Sequence, residues 1–135
     1  MKDRAFVDTN LLIYSISNDE DKKQKVEWLL QQPFDFLIST QVINEFAHTC
    51  LRKNLLPLAE VRQLVEDFFL FFEVVLMDEP IISTAFDLKE RYAYSYYDSL
   101  IVAAALNKGC SILFSEDLQH NQVLQSKLTI SNPLL

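Results

Sequence analysis

Short, wholly apolar runs alternate along this chain with segments of helical period. Ala5-Phe6-Val7, Phe36-Leu37-Ile38, Val74-Val75-Leu76 and Ile112-Leu113-Phe114 are each apolar at every position. A strand with one face in water alternates apolar and polar residues. A strand apolar throughout is buried on both faces, as in a parallel sheet covered by helices. Helical patterns fill the gaps. A short helix runs from Asn10 to about Ser17, and another from about Lys22 to Gln31 turns Val26, Leu29 and Leu30 inward until Pro33 stops it. Ser39 or Thr40 caps a helix to about Lys53, with Val42, Ile43, Phe46 and Cys50 inward. Pro57 opens a helix that ends near Phe72, and Ile81 to Arg91 forms the next. Ser95-Tyr96-Tyr97-Asp98 opens an apolar helix, Leu100 to Leu106, which ends at Asn107-Lys108-Gly109. Leu128-Thr129-Ile130 reads as a fifth strand before Pro133. The alternation predicts an α/β fold with a parallel sheet covered on both faces.

A length of 135 residues predicts one domain, 1–135, around one core. No apolar run approaches the roughly 18 residues of a membrane span, and Asp3 and Asp8 interrupt any signal-peptide core. Cys50 and Cys110 are too few and too far apart for a disulfide framework or a zinc ribbon. A cytoplasmic protein is expected. Gly109 is the only glycine, which excludes a Walker loop and a dinucleotide fingerprint, since both need several. The net charge of −7 makes the protein a poor polyanion binder unless a cation or a local basic patch offsets it.

The acids point to such a cation. Asp8 ends the first strand, and Asp117 follows the fourth by a few residues. Helices leading into parallel strands begin at the strands' carboxyl edge, where ligands of open α/β sheets bind. Asp98 lies in the first turn of one such helix, and Glu45 within about two turns of another's start. Each acid has a plain structural role as well. Asp98 fits a capping box with Ser95, Asp8 a turn, Glu45 a solvated helix face, and Asp117 a loop or cap. Their co-location is what favours function. Grouped carboxylates repel one another, and a hard divalent cation relieves the repulsion. Oxygen-only ligands point to Mg2+ or Mn2+, ions that serve phosphodiester hydrolysis.

Other residues carry less. His48 and Cys50 do not share a helix face, and His120 reads as loop surface. Tyr92, Tyr94, Tyr96 and Tyr97 flank Asp98, where they pack over a helix start or stack on bases. Lys22-Lys23-Gln24-Lys25 reads as a helix face, and Arg52, Lys53, Arg62 and Arg91 as solvated surface. The stripe Leu58, Val61, Leu64, Val65, Phe68, Phe69 and Phe72 is expected in the core. Leu70 and Phe71 lie off it, leaving room for a partner or dimer surface.

Four segments resemble, in order, the acidic motifs of PIN domains: Phe6-Val7-Asp8-Thr9-Asn10, Asn44-Glu45-Phe46, Tyr97-Asp98-Ser99-Leu100-Ile101-Val102-Ala103-Ala104-Ala105 and Ser115-Glu116-Asp117-Leu118. The first and third are the most specific. The ending Thr129-Ile130-Ser131-Asn132-Pro133 is similar to endings of bacterial PIN proteins of VapC type. The resemblance implies a three-layer α/β/α sandwich with a central, mostly parallel sheet, and a small metal-dependent ribonuclease. Asp8, Glu45, Asp98 and Asp117 would form the catalytic pocket, with Asp8 and Asp98 on the principal Mg2+ or Mn2+ ion. Asp117 and Glu45 would complete the site or hold a second ion. Asn10 and Ser115 would support it by hydrogen bonds. The resemblance also implies a cognate antitoxin and a homodimer. The family often shows Thr-x-Asp where this chain has Ser115-Glu116-Asp117, so Glu116 is an alternative ligand to Asp117. An aspartyl-phosphate phosphatase would want an acid at position 10, which is Asn10. A receiver domain would want an acidic pair at the first strand's end; Asp78 follows strand three, but that pair is missing. The remaining alternative is a catalytically silent PIN-like domain that binds nucleic acid or protein, with the Phe-rich helix as its interface.

Overall fold

The computed structural model describes residues 2–135. Six strands form one sheet: β1 (Arg4–Val7), β2 (Asp35–Ser39), β3 (Glu73–Val75), β4 (Ile112–Phe114), β5 (Val123–Leu124) and β6 (Leu128–Ser131). The helices are α1 (Thr9–Tyr14), α2 (Glu20–Leu30), α3 (Thr40–Arg52), α4 (Leu58–Phe71), α5 (Glu79–Tyr92) and α6 (Tyr96–Asn107). The strand order is β3-β2-β1-β4-β6-β5. Every pairing is parallel except β5 with β6. The fold is the expected α/β sandwich with a mostly parallel central sheet.

Topology places the crevice. From β1 the chain moves through β2 to β3 on one side, then returns through α5 and α6 to β4 on the other side of β1. Right-handed crossovers in opposite directions put their helices on opposite faces. The carboxyl end of β1 therefore lies at the switch point. Phe6 pairs with Leu37 of β2 and Leu113 of β4, and all three are fully buried. Asp8 N donates to Phe114 O at 3.0 Å, so the ladder carries Asp8 to the edge.

Side chains close the helix starts as the sequence predicts. Ser39 Oγ accepts from Val42 N at 3.2 Å, and Ser95 Oγ from Asp98 N at 3.1 Å. α6 is buried continuously from Ser99 to Ala105, the most enclosed helix of the sandwich.

Three expectations need correction. β3 spans Glu73–Val75 and lies on the sheet edge, so Leu76 falls outside it and is 69% exposed. Glu73 forms a two-pronged ion pair with Arg4 there. The stripe on α4 is narrower than the sequence implies. Within the helix only Val61 is buried, while Leu58 and Phe69 of the stripe are exposed; Leu70 and Phe71, expected off the stripe, are exposed as well. α4 packs on α3, with the Phe68 and Phe46 rings 4.9 Å apart, and on the short edge strand β3, while Phe71 stacks on Phe36 of β2 and the outward face stays exposed. The sequence also gave no sign of β5. It forms a hairpin with β6 through a turn whose central residues, Gln125 and Ser126, both have positive φ. Asn-Gly or Asp-Gly marks such turns, and neither is present here.

Candidate active site

Asp8 sits where β1 gives way to α1. Its Oδ1 accepts from Thr9 N at 2.7 Å and its Oδ2 from Ser115 Oγ at 2.8 Å. The residue is 5% exposed. Burial pushes the carboxyl up to about 7, against the pull of the Ser115 and Thr9 hydrogen bonds; the charges of Asp98 and Asp117 push it further the same way. Ser115 is itself fully buried at the end of β4.

Asp117 reaches the same mouth from the loop after β4. Its Oδ2 accepts from Asn10 Nδ2 at 2.6 Å. Partial burial raises its pKa, with the charges of Asp98 and Glu116 adding and Asn10 opposing. Glu116 turns elsewhere, to Lys22 Nζ at 3.3 Å. Lys22 also lies over the Tyr14 ring, 4.4 Å from its centroid.

Glu45 comes from α3. Its Oε2 accepts from Thr9 Oγ1 at 2.9 Å and its Oε1 from Gln41 Nε2 at 2.6 Å. The same Gln41 nitrogen reaches the carbonyl of Tyr97 at 3.3 Å, one residue before Asp98. Two acceptors fix the amide's orientation and leave Gln41 Oε1 buried without a donor. An orphaned buried acceptor costs about 1–3 kcal/mol, a cost this link imposes where α3 meets α6. Asp98 itself stands in the first turn of α6, its backbone N–H capped by Ser95. Among the described residues no hydrogen bond holds its carboxylate, so capping accounts for its N–H and not for its acid.

The charges of Asp98 and Asp117 thus act on Asp8, and hydrogen bonds through small polar residues link the elements that carry the four acids. Ser115 joins β4 to Asp8, Asn10 joins α1 to Asp117, Thr9 joins α1 to Glu45, and Gln41 joins Glu45 to the start of α6. Among the described residues no three His, Cys, Asp or Glu side chains converge closely enough to hold an ion as they stand. Glu45 and Asp117 turn instead to neutral donors. By donor chemistry the set fits a hard divalent cation: every candidate ligand is a carboxylate oxygen, and one of them is a buried acid under like-charge pressure.

The links made by Thr9 and Gln41 were not anticipated from the sequence. Gln41 stands four residues before Glu45 on one helix, a spacing that places the two side chains together. Its contact with Tyr97 is tertiary and leaves no such trace. His120 serves its loop, accepting from Asn132 N through Nδ1 at 2.9 Å. Tyr92 and Tyr94 stack on each other, while Tyr97 remains 63% exposed beside the site.

No helix among the described residues is long and apolar enough to cross a membrane. No curated protein matches the sequence significantly. Solved structures do match. A toxin–antitoxin complex from Klebsiella pneumoniae aligns at TM-score 0.72 and 19% identity, covering 96% of this chain and 97% of that one. A DNA-bound VapBC from Salmonella typhimurium aligns at 0.70 and 19%, covering 98% and 99%. VapC20 of Mycobacterium tuberculosis, described as a sarcin-ricin loop cleaving toxin, aligns at 0.69 and 18%, covering 84% and 91%. At these identities the likeness establishes the fold. The sequence profile of the PIN domain matches residues 5–123, most of the chain. By that match, with its acids at the switch point of the sheet, the chain belongs to the PIN domain family.

Proposed function

We propose that this protein, a single domain over residues 1–135, is a divalent-metal-dependent endoribonuclease and the toxin of a toxin–antitoxin pair. The observation that carries the reading is Asp8, buried at the carboxyl end of the central strand with Thr9 N and Ser115 Oγ on its two oxygens and the charges of Asp98 and Asp117 acting on it. Such a group is costly to ionise alone and inexpensive to ionise against a cation.

Asp8, Asp98 and Asp117 are the residues that would hold Mg2+ or Mn2+. When bound, such an ion activates a water and offsets charge on the phosphate. The chain's own contribution is placement. Ser115 and the Thr9 N–H fix both oxygens of Asp8. Asn10 aims Asp117 across the mouth, while Glu116 is engaged with Lys22, which favours Asp117 as the ligand. Thr9 and Gln41 hold Glu45 by both oxygens, so that it can orient the attacking water and receive its proton. The scissile P–O bond of a single-stranded RNA would be presented to these groups, the water oxygen forming the new bond to phosphorus as the ribose oxygen leaves. The likeness to toxin–antitoxin complexes supports a cognate antitoxin as partner, and the exposed apolar side chains are compatible with a homodimer. A cytoplasmic location follows from that role.

A catalytically silent binding domain is the second reading, favoured by the exposed Phe69, Leu70 and Phe71 on α4. A panel of labelled single-stranded RNA and tRNA, incubated with Mg2+, Mn2+ or EDTA, separates the two. Cleavage that needs the metal and disappears in Asp98→Asn supports the nuclease. RNA binding without turnover under saturating Mn2+ supports the silent domain.

A further inference from the structure

Next to the acids, on the side of Glu45 toward α6, lies a cavity of about 780 Å3. Asn44, Glu45, His48, Tyr96, Tyr97 and Leu100 are among its walls. Glu45 belongs both to this cavity and to the mouth, where Thr9 holds it. The volume falls within the range of small-molecule sites, about 300–1,000 Å3.

The charge balance says what such a space is for. The protein carries a net −7, and no Lys or Arg among the described residues lines the cavity. Lys22 is engaged with Glu116 and Lys89 with the Tyr94 carbonyl. Phosphate contacts, the usual source of affinity for nucleic acid, are therefore scarce here, and a strand held at this mouth must be held largely by its bases. Base stacking on aromatic rings needs no positive charge. Tyr97 supplies such a ring: it is 63% exposed and lies 5.8 Å from Tyr96, which rests 5.3 Å from Phe86. Tyr96 meets the ring edge-on and itself rests on Phe86, so Tyr97 has one aromatic neighbour while most of it stays open. The Asn44 amide and the His48 imidazole add the hydrogen-bonding groups that read the edges of unpaired bases.

We infer that this cavity is a base-binding subsite, which takes the nucleobase of a single-stranded RNA nucleotide next to the scissile phosphate, with Tyr97 as its stacking platform. The inference rests on the ribonuclease reading for its substrate. A second copy of the chain is the rival occupant. The concave shape, the polar groups within and the wall shared with the acids favour a base.

The test is fluorescence anisotropy with labelled hexauridylate and hexaadenylate, and with versions carrying one abasic ribose. Binding is measured in Mg2+ on the Asp8→Asn protein, and cleavage on the chain with Asp8 intact. Tyr97→Ala is expected to weaken binding of the intact oligonucleotides about tenfold, Tyr97→Phe no more than about twofold. Removal of one base should abolish the difference between Tyr97 and Tyr97→Ala. Asn44→Ala, in an exposed position, is a second variant and should change the preference between the two sequences. If RNA is cleaved but neither Tyr97→Ala nor base removal alters affinity, the subsite is wrong and the nuclease stands. If base-dependent binding through Tyr97 is present but the intact chain never cleaves, the subsite stands and the nuclease reading fails. No binding by any protein overturns the subsite. A dimer that Tyr97→Ala splits in sedimentation, with oligonucleotide affinity unchanged, overturns it in favour of a second copy.

Discussion

Ser115 Oγ and Asp8 Oδ2 meet at 2.8 Å, 107 positions apart in the chain. The bond ties the carboxyl ends of the adjacent strands β1 and β4. It also gives a buried carboxylate one of the two donors that ease its ionisation. Removing it as Ser115→Ala should make Asp8 harder still to ionise. The acid limb of the pH–rate profile should then move to higher pH, with activity at pH 7 down about tenfold. Ser115→Thr keeps the hydroxyl and should restore the profile. An unmoved acid limb in Ser115→Ala would count against the bond's role.

Asp8 makes the metal-free fold pH-dependent, with a sign that follows from its raised pKa. The folded carboxyl titrates near 7, the unfolded one near 3.8. Between these values the folded state holds a proton that the unfolded state has lost. The stabilisation is full below the lower value and is lost as pH rises through the upper one. In EDTA the protein should therefore lose about 1–2 kcal/mol between pH 6 and 8. Asp8→Asn lacks this loss and should be the more stable protein at pH 8. Chemical denaturation at both pH values checks this; a variant less stable than the parent at pH 8 contradicts it.

Gln41 acts through Glu45 and Tyr97. Gln41→Ala should lower kcat about 10–100-fold with KM little changed, the pattern of lost placement. Stability should change by less than about 1 kcal/mol, because the substitution also removes the orphaned Oε1. Equal losses in kcat and in folding stability would show a merely structural role.

On α4, burial should separate neighbouring residues. Phe68, half-buried against Phe46, should cost about 2–3 kcal/mol on truncation to alanine. Leu70, 88% exposed, should tolerate lysine within about 0.5 kcal/mol. Denaturant midpoints of the two variants decide it, and an equal loss in both would place α4 inside a core that the isolated chain lacks.

These contrasts also show what the sequence could carry. β1, β2 and β4 were legible because central parallel strands are apolar on both faces, and Phe6, Leu37 and Leu113 have no polar neighbour to interrupt them. Ser39 and Ser95 were legible as caps because capping is local. α4 was misread because periodicity reports that a stripe exists, and only the tertiary arrangement decides whether a layer covers it. β5 was missed because Gln125 and Ser126 adopt positive φ without the residues that usually announce it. At the site, the topology led to the expectation of acids at one edge, and the structure brings the charges of Asp98 and Asp117 to bear on Asp8. The pairings Thr9 with Glu45 and Gln41 with Tyr97 join separate elements and could come only from the fold.

The most direct test of the cation site is calorimetric titration of the metal-free protein with Mn2+ at pH 7, in two buffers of different ionisation enthalpy. Asp8 titrates near that pH, so binding should release about half a proton per ion from it. Asp8→Asn should abolish both the release and most of the affinity. Mn2+ binding of equal strength in parent and Asp8→Asn, with no proton released by either, would contradict the account.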